Sequence, residues 1–453
     1  MSKKKPMEEK KITRPKVTTS KTPQLLKGFK DILPADQPYW RFIKKTAENF
    51  ALGYGFEEIG LPILEETSLF IRSIGKQTDI VEKEMFSFAD KNDGNVSLRP
   101  EFTASVARAY INHGMINLPQ PVKLYYFGPV FRREKPQAGR QRQFHQLGFE
   151  VIGDNSPILD AQLIAIAYNF FDQIGLKDVS IQVNSIGTPE SRKVYKEELT
   201  NYYKAKRKIL CEDCKNRLVR NPLRLLDCKV ESCQSLRAEA PQIVDWLDDE
   251  SKDHFMKVIN YLDEMDIPYI LNPYLVRGLD YYTKTVFEIW PAEQEAGSQT
   301  ALGGGGRYDG LISLLGGRPT PAAGFSPGVE RIISYLKEHE IKIPAEPAAK
   351  IFLAQIGDQA KVKALKLFEQ LRRNDIAVME NFTKDGLKPQ LELANKNQIR
   401  YVLILGQKEV VDGTVLVRDM ESGVQEIIDF NKAVTEMRKK LTNDLIKSSD
   451  KSA

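Results

Sequence analysis

The grammar of this chain changes at one place, and that change limits its architecture more than any other feature. Ile341-Lys-Ile-Pro-Ala-Glu-Pro-Ala-Ala349 sets prolines among small residues and reads as a linker. Beyond it, apolar patterns alternate as strand 351–356, helix 358–373, strand 376–380, helix 386–397 and strand 401–405. Such alternation predicts a separate small α/β domain with a largely parallel sheet. The longer body before the linker follows an antiparallel α+β pattern. Its length suits this division, because 453 residues exceed what one ordinary core holds.

Within the body, Lys27-Gly-Phe-Lys-Asp-Ile-Leu-Pro34 is a turn-rich entry, and Trp40, Ile43, Ala47 and Phe50 give 36–52 a helical stripe. A strand is expected at 57–64, with Pro62 confining it to an edge or an interface. Helices follow at 101–116 and 157–175, a long hairpin spans 122–152, and a short strand covers 179–183. From 188 to 268 the chain becomes Lys/Glu-rich and helical, which reads as an insertion. Strand patterns resume at Tyr269 and run to a helix at 326–339.

Composition excludes several classes. With 42% hydrophobic and 28% charged residues the chain reads as globular. No apolar run approaches a membrane span, and the lysines near the N-terminus precede no apolar region, so a cytoplasmic enzyme without membrane partners is expected. Residues 1–22 hold eight Lys or Arg against two Glu, so the body carries about −1 of the net +5. This basic tail is expected to be disordered and solvated, and any nucleic-acid surface elsewhere must be a local patch.

All four cysteines fall within 23 residues, as Cys211-x2-Cys214 and Cys228-x4-Cys233. The spacing suits a structural Zn²⁺, while the longer second gap suits four ordinary thiols as well. Four thiolates would close the metal's coordination shell, so a catalytic metal is excluded there.

Five segments offer chemistry. In Leu275-Val-Arg-Gly-Leu-Asp-Tyr-Tyr282, Arg277 is either an anion clamp at a pocket mouth or half of a surface Arg–Asp pair. In Arg142-Gln-Phe-His-Gln-Leu-Gly-Phe-Glu-Val151, strand parity puts Phe144, Gln146, Gly148 and Glu150 on one face. That face offers an amide, a gap and a carboxylate in a row, whereas His145 falls opposite and reads as structural. The loop 132–142 is dense in Arg and Gln, suited to phosphates and base edges. Glu101 and Thr103 follow Pro100 at a helix start, as ammonium ligands or as a cap. Gly303 to Gly306 and Gly324-Phe-Ser-Pro-Gly-Val-Glu-Arg331 let backbone approach a ligand, yet neither a P-loop nor a Rossmann turn is present.

Taken in order, these segments resemble class II aminoacyl-tRNA synthetases, and within them the histidyl-tRNA synthetases. The resemblance covers 25 to about 440. Leu61-Pro62, Phe131-Arg-Arg-Glu134 and Gly328-Val-Glu-Arg331 are similar to the three class motifs, and Leu275 to Tyr282, Gly305-Gly-Arg-Tyr-Asp-Gly310 and Arg142 to Gly148 to the histidyl signatures. It implies a catalytic domain in two parts, 23–187 and 269–340, around the helical insertion 188–268. The linker 341–349, an anticodon-binding domain at 350–440 and a polar tail at 441–453 follow. It also implies activation of L-histidine by ATP with Mg²⁺, transfer to the 3′ end of histidine tRNA, and a homodimer. By the same resemblance Glu101, Thr103 and Gln146 hold the α-amino group, and Glu150, Tyr281 and Tyr282 line the imidazole pocket. Arg132 clamps the α-phosphate and carboxylate, Arg331 takes the adenine and γ-phosphate, and Arg277 neutralises the transition state. Gln137, Gly139 and Arg140 are expected to meet the tRNA. Phe102 stands where glycine is common and is expected to narrow the histidine pocket's entrance. Parity places Arg277 with Tyr281 but not Tyr282, so both tyrosines reach the site only if the strand bulges or ends there. Competing expectations are a non-catalytic regulatory subunit of ATP phosphoribosyltransferase, which usually lacks a C-terminal domain, and another class II synthetase. Intact Arg132, Arg277 and Arg331 weigh against the first, and the roomy acidic face of Gly148 and Glu150 against the second.

Overall fold

The computed structural model describes residues 22–76, 78–91, 94–134, 140–291, 301–344 and 349–449. The chain divides into two compact units, at Pro344 and Ala345.

The first unit is built on an eight-stranded sheet. Its strands are β1 (Glu57–Glu58), β2 (Val122–Phe131), β3 (Gln143–Ile152), β4 (Val179–Ser185), β5 (Ile270–Leu271), β6 (Thr283–Pro291), β7 (Gly303–Arg307) and β8 (Ala322–Pro327). They lie in the order β1-β2-β3-β8-β7-β6-β4-β5. The six inner strands pair antiparallel, and each short edge strand pairs parallel. This is the α+β architecture with an antiparallel sheet that the patterns indicated.

Period-two alternation explains how the sheet is covered. Leu147, Phe149 and Val151 of β3 enter one apolar cluster with helices α1 (Gln37–Gly53) and α3 (Pro157–Gln173). Buried residues are spread over much of α3, as a helix packed on several sides requires. The opposite face carries a second cluster with α2 (Thr103–Asn112).

The segment 188–268 forms α4 (Pro189–Ala205), α5 (Glu212–Arg220), α6 (Glu231–Arg237) and α7 (Asp249–Glu264), with short 3-10 turns between. Its apolar residues join both clusters: Phe255, Val258 and Leu262 enter the first, and Tyr195, Leu225 and Leu226 the second.

Several local expectations need correction. The strand at 57–64 is split, since Glu57–Glu58 and Leu64–Glu66 flank Pro62 and belong to different sheets. The helix expected from 101 starts at Thr103 and stops before Gly114, whose φ of 60 closes it. The helix expected from 326 starts at Val329 as α8 (Val329–Glu338), because the residues up to Pro327 are drawn into β8. Residues 275–282 are a loop, and the strand begins only at Thr283.

The second unit has the strand order β10-β9-β11-β12-β13, from β9 (Ile351–Gln355), β10 (Val378–Glu380), β11 (Tyr401–Leu405), β12 (Thr414–Asp419) and β13 (Gln425–Asp429). β9, β10 and β11 are parallel, and helices α9 (Asp358–Arg373) and α10 (Leu387–Lys396) supply the crossovers. The antiparallel pair β12–β13 was not read from sequence, and α11 (Ala433–Ser449) carries regular structure beyond 440. No helix among the described residues is long and apolar enough to cross a membrane.

Candidate active site

The antiparallel sheet supports a cavity of about 290 Å³, walled by β3, β8, the start of α2 and the loop 275–282. Glu101, Thr103, Arg132, Arg140, Gln146, Glu150, Arg277, Tyr281, Tyr282 and Arg331 all line it. The fold thus collects residues spread over 230 positions of sequence.

One end is acidic and aromatic. Glu150 is 1% exposed and accepts hydrogen bonds from Thr103 Oγ1 at 2.8 Å, Tyr126 Oη at 3.0 Å and Tyr308 Oη. Burial pushes its pKa up to about 8, while the Tyr308 and Thr103 hydroxyls pull the other way. Glu101 accepts from the backbone N–H groups of Thr103 at 2.7 Å and Ala104 at 2.8 Å, so it caps α2 while facing the cavity. Tyr281 stacks obliquely on Tyr282 at 4.7 Å and meets Tyr308 edge-on at 5.6 Å. Gln146 adds a buried Oε1 with no hydrogen-bond partner among the described residues, an acceptor left for a ligand.

The other end is cationic. Arg132 Nε donates to Pro100 O at 2.9 Å, and its guanidinium lies 5.3 Å from the Phe144 ring centroid. Arg331 Nη1 donates to Ala301 O at 2.6 Å. Burial, followed by the neighbouring charges of Arg140 and Arg132, pulls the Arg331 pKa down to about 10. Such mutual repulsion among guanidiniums is relieved by an anion. Arg277 pairs with Glu288 and lies 5.3 Å from the Tyr282 ring centroid, and its buried Nε has no hydrogen-bond partner among the described residues. The surface Arg277–Asp280 pair is ruled out, since Asp280 is exposed and accepts instead from Asn221 Nδ2 at 3.2 Å.

Two expectations about the site change. Phe102 does not line the cavity: it is 2% exposed, stacked on Tyr126 at 4.1 Å with the Arg99 guanidinium 3.8 Å from its centroid. It therefore supports a wall instead of narrowing an entrance. Gly148 leaves no room for a ligand, because Tyr126 occupies that space and a Cβ would lie 2.2 Å from its ring. Both tyrosines of 281–282 reach the cavity because the strand has not yet begun there, which resolves the parity conflict. His145 is not among the residues lining the cavity, and its N–H and Nδ1 contact the Glu330 carboxylate. Of the tip residues, Gln137 and Gly139 lie outside the described residues, and Arg140 pairs with Glu134 at 3.2 Å.

Sequence reasoning missed Tyr126, Tyr308 and Glu288. Tyr126 was accessible from hairpin register, in which it opposes Gly148. Arg307, beside Tyr308, is fully buried and held by Asp160, which His254 Nε2 also contacts at 2.7 Å. That network fixes the backbone from which Tyr308 projects.

Gly324 faces Glu150 so closely that a Cβ would lie 1.7 Å from Oε2. Gly324→Ala is therefore expected to raise the KM for the ligand of Glu150 about tenfold or more while the KM for the anionic ligand holds. Equal changes in both KM values would detach Gly324 from Glu150.

Away from this cavity, the four cysteine sulfurs lie within 4.8 Å of one another. All four are free thiols, with Cys211 half-buried and the others buried.

Comparison with known proteins adds an independent line. The profile for histidyl-tRNA synthetase matches residues 28–332, and that for the anticodon binding domain matches 350–440. The histidine–tRNA ligase of Desulforamulus reducens is 44% identical over 408 residues, covering 90% of this chain and 97% of the relative. That of Syntrophotalea carbinolica is 46% identical over 403 residues, covering 89% and 95%. The crystal structure of apo S. aureus histidyl-tRNA synthetase matches with a TM-score of 0.77 at 36% identity, covering 92% of this chain and 99% of that one.

Proposed function

The chain belongs to the histidyl-tRNA synthetase family, and from that premise we propose which of its residues carry each part of the ligase reaction. Enzymes of this family join histidine to tRNA with ATP, which requires an amino-acid pocket beside a polyphosphate site. The observation that carries the assignment is Glu150, a fully buried carboxylate receiving three hydroxyls at one end of a cavity whose other end is lined by arginines.

Histidine enters with its imidazole N–H toward Glu150 and between Tyr281, Tyr282 and Tyr308. Its ammonium group meets Gln146 Oε1, Glu101 and Thr103. The substrate carboxylate then attacks the α-phosphorus of ATP, and pyrophosphate leaves. Arg132 clamps the α-phosphate against that carboxylate, Arg277 offsets the charge gathering on the pentacovalent phosphorus, and Arg331 holds the adenine and γ-phosphate region. In the second step a 3′-terminal ribose hydroxyl of tRNA attacks the adenylate carbonyl and AMP departs. No protein nucleophile is needed.

Mg²⁺ supplies charge neutralisation on the phosphates when ATP is bound. Glu134, Glu288 and Glu330 are the carboxylates facing the cavity near the arginines; the first two pair with arginine and Glu330 with His145, so the ion would be held mainly through the phosphates, with these carboxylates nearby. The C-terminal unit would read the anticodon, and Arg140 would face the tRNA. A cytoplasmic homodimer follows the family pattern. A structural Zn²⁺ on Cys211, Cys214, Cys228 and Cys233 completes the proposal.

The test is exchange of labelled pyrophosphate into ATP with each amino acid in turn, without tRNA. Histidine alone should support it, and exchange with another amino acid would overturn the pocket assignment.

Proton linkage gives a second check. With a pKa near 8, Glu150 is largely protonated in the empty protein at neutral pH. A carboxylate that accepts an imidazole N–H is favoured in its ionised form, so binding draws the pKa down and releases a proton. Histidine affinity should therefore rise between about 6.5, where the ligand's imidazole becomes neutral, and about 8, then level off. Calorimetric titration in buffers of different ionisation enthalpy counts the proton. A flat affinity across that window would remove Glu150 from the imidazole.

A further inference from the structure

The cysteine cluster lies outside the reaction cavity, yet the apolar core around it continues into the cavity wall. Cys214, Cys228, Cys233, Leu225 and Leu226 belong to the same buried cluster as Leu275, Val276, Tyr281, Tyr282 and Tyr308. We propose that Zn²⁺ at the four cysteines fixes the segment 221–228 as a buttress beneath the loop 275–282, so that metal loading sets the rate of histidine activation. The inference rests on the histidine-activation reading and gives the insertion a role in it.

The sulfurs are placed for one ion. Cys211 and Cys228 Sγ are 3.9 Å apart, too far for a disulfide. That separation suits a tetrahedral site, whose sulfur–sulfur edges are about 3.8 Å at the usual Zn–S length. Backbone N–H groups also point at the sulfurs: Cys214 N donates to Cys211 Sγ at 3.4 Å, and Cys211 N to Cys233 Sγ at 3.3 Å. Such donors stabilise thiolate charge. The helices that present them are short, nine residues in α5 and seven in α6, below the length at which helices hold themselves in water. A common ion ties their N-termini together.

Between the two cysteine pairs, the chain touches the active-site loop directly. Asn221 Nδ2 donates to Asp280 Oδ1 at 3.2 Å. Arg224 pairs with Asp227 at 2.8 Å and places Nη1 3.5 Å from where a Cβ on Gly278 would lie. In the same cleft as Asn221, Arg224 and Gly278, Arg220 pairs with Glu82 at 3.1 Å and Arg217 with Asp79 at 3.6 Å, flanking Ile80 of the cavity wall. The loop 275–282 carries neither helix nor strand, so its position is set by such neighbours. Arg277, Tyr281 and Tyr282 all ride on it, and displacement of reacting groups by about 1 Å can cost a hundredfold in rate.

The test uses the full chain. Zinc is quantified by mass spectrometry, then stripped with a chelator that is removed before Mg²⁺ and ATP are added, and histidine-dependent pyrophosphate exchange is followed with circular dichroism. Stripping should lower kcat about a hundredfold with little change in the KM for ATP, and Zn²⁺ should restore it. Because stripping could unfold the lobe, Asn221→Ala/Arg224→Ala provides a second readout, expected to keep its zinc and lose about tenfold in kcat. A protein that takes up no zinc when supplied with it would overturn the metal site. Bound zinc with full exchange in both the stripped protein and the double variant would overturn the buttress alone. Absence of histidine-dependent exchange from the loaded, folded protein would instead overturn the reading on which the inference rests.

Discussion

Glu150→Ala is expected to abolish histidine activation, with kcat/KM for histidine falling about 10³-fold or more and ATP binding retained. That loss corresponds to about 4 kcal/mol of transition-state stabilisation. Its size follows from burial. Glu150 is the acceptor for three hydroxyls, and in alanine's place Thr103, Tyr126 and Tyr308 would face a cavity without it. A buried donor left unsatisfied costs about 1–3 kcal/mol, so part of the effect would be structural. Glu150→Gln separates the two parts. It keeps the volume and one carbonyl oxygen but cannot ionise, so the fold should be kept while the rise of histidine affinity with pH disappears. Binding of ATP in the absence of histidine serves as the internal control. Unchanged histidine affinity in Glu150→Ala would sink the assignment.

The ease of reading this site from sequence varied with how local each signal was. Strand parity alone placed Gln146 and Glu150 on one face and His145 on the other, because a ten-residue strand in a regular hairpin obeys a period of two. The same logic failed at Arg277, Tyr281 and Tyr282, whose apolar neighbours imitate a strand although the backbone is a loop. Nothing in that segment reveals that its support comes from Asn221 and Arg224 more than fifty residues earlier. Gly148 shows a different limit. Its smallness was legible, but only the opposing strand reveals that the space belongs to Tyr126. Likewise the cap and the cavity wall are not exclusive at Glu101, which accepts the N–H groups that open α2 while facing the cavity. The alternation past 349 identified the second unit's crossovers, whereas its β12–β13 hairpin, with β13 exposed along much of its length, left no comparable pattern.

Arg277→His is expected to act on the chemical step. Adenylate formation in a single turnover should slow about 10³-fold, in the range of an arginine that meets transferring phosphoryl charge. The KM values for ATP and histidine should change far less, because Arg132 and Arg331 remain to hold the ground state. The guanidinium is well suited to this task. Glu288 beside it, together with the Tyr282 ring below, keeps its charge in place, and its buried Nε has no hydrogen-bond partner among the described residues. Removing Arg277 would strand Glu288, whose pKa burial already raises and which Arg277 now counteracts. In the variant Glu288 would take up a proton more readily, so a repelling negative charge is not the expected cause of the slow step. The double variant Arg277→Gln/Glu288→Gln tests that point: a rate as low as that of Arg277→Gln alone assigns the loss to the missing cation, and recovery would assign it to Glu288. A defect confined to tRNA affinity, with normal adenylate formation, would refute the role of Arg277 in the first step.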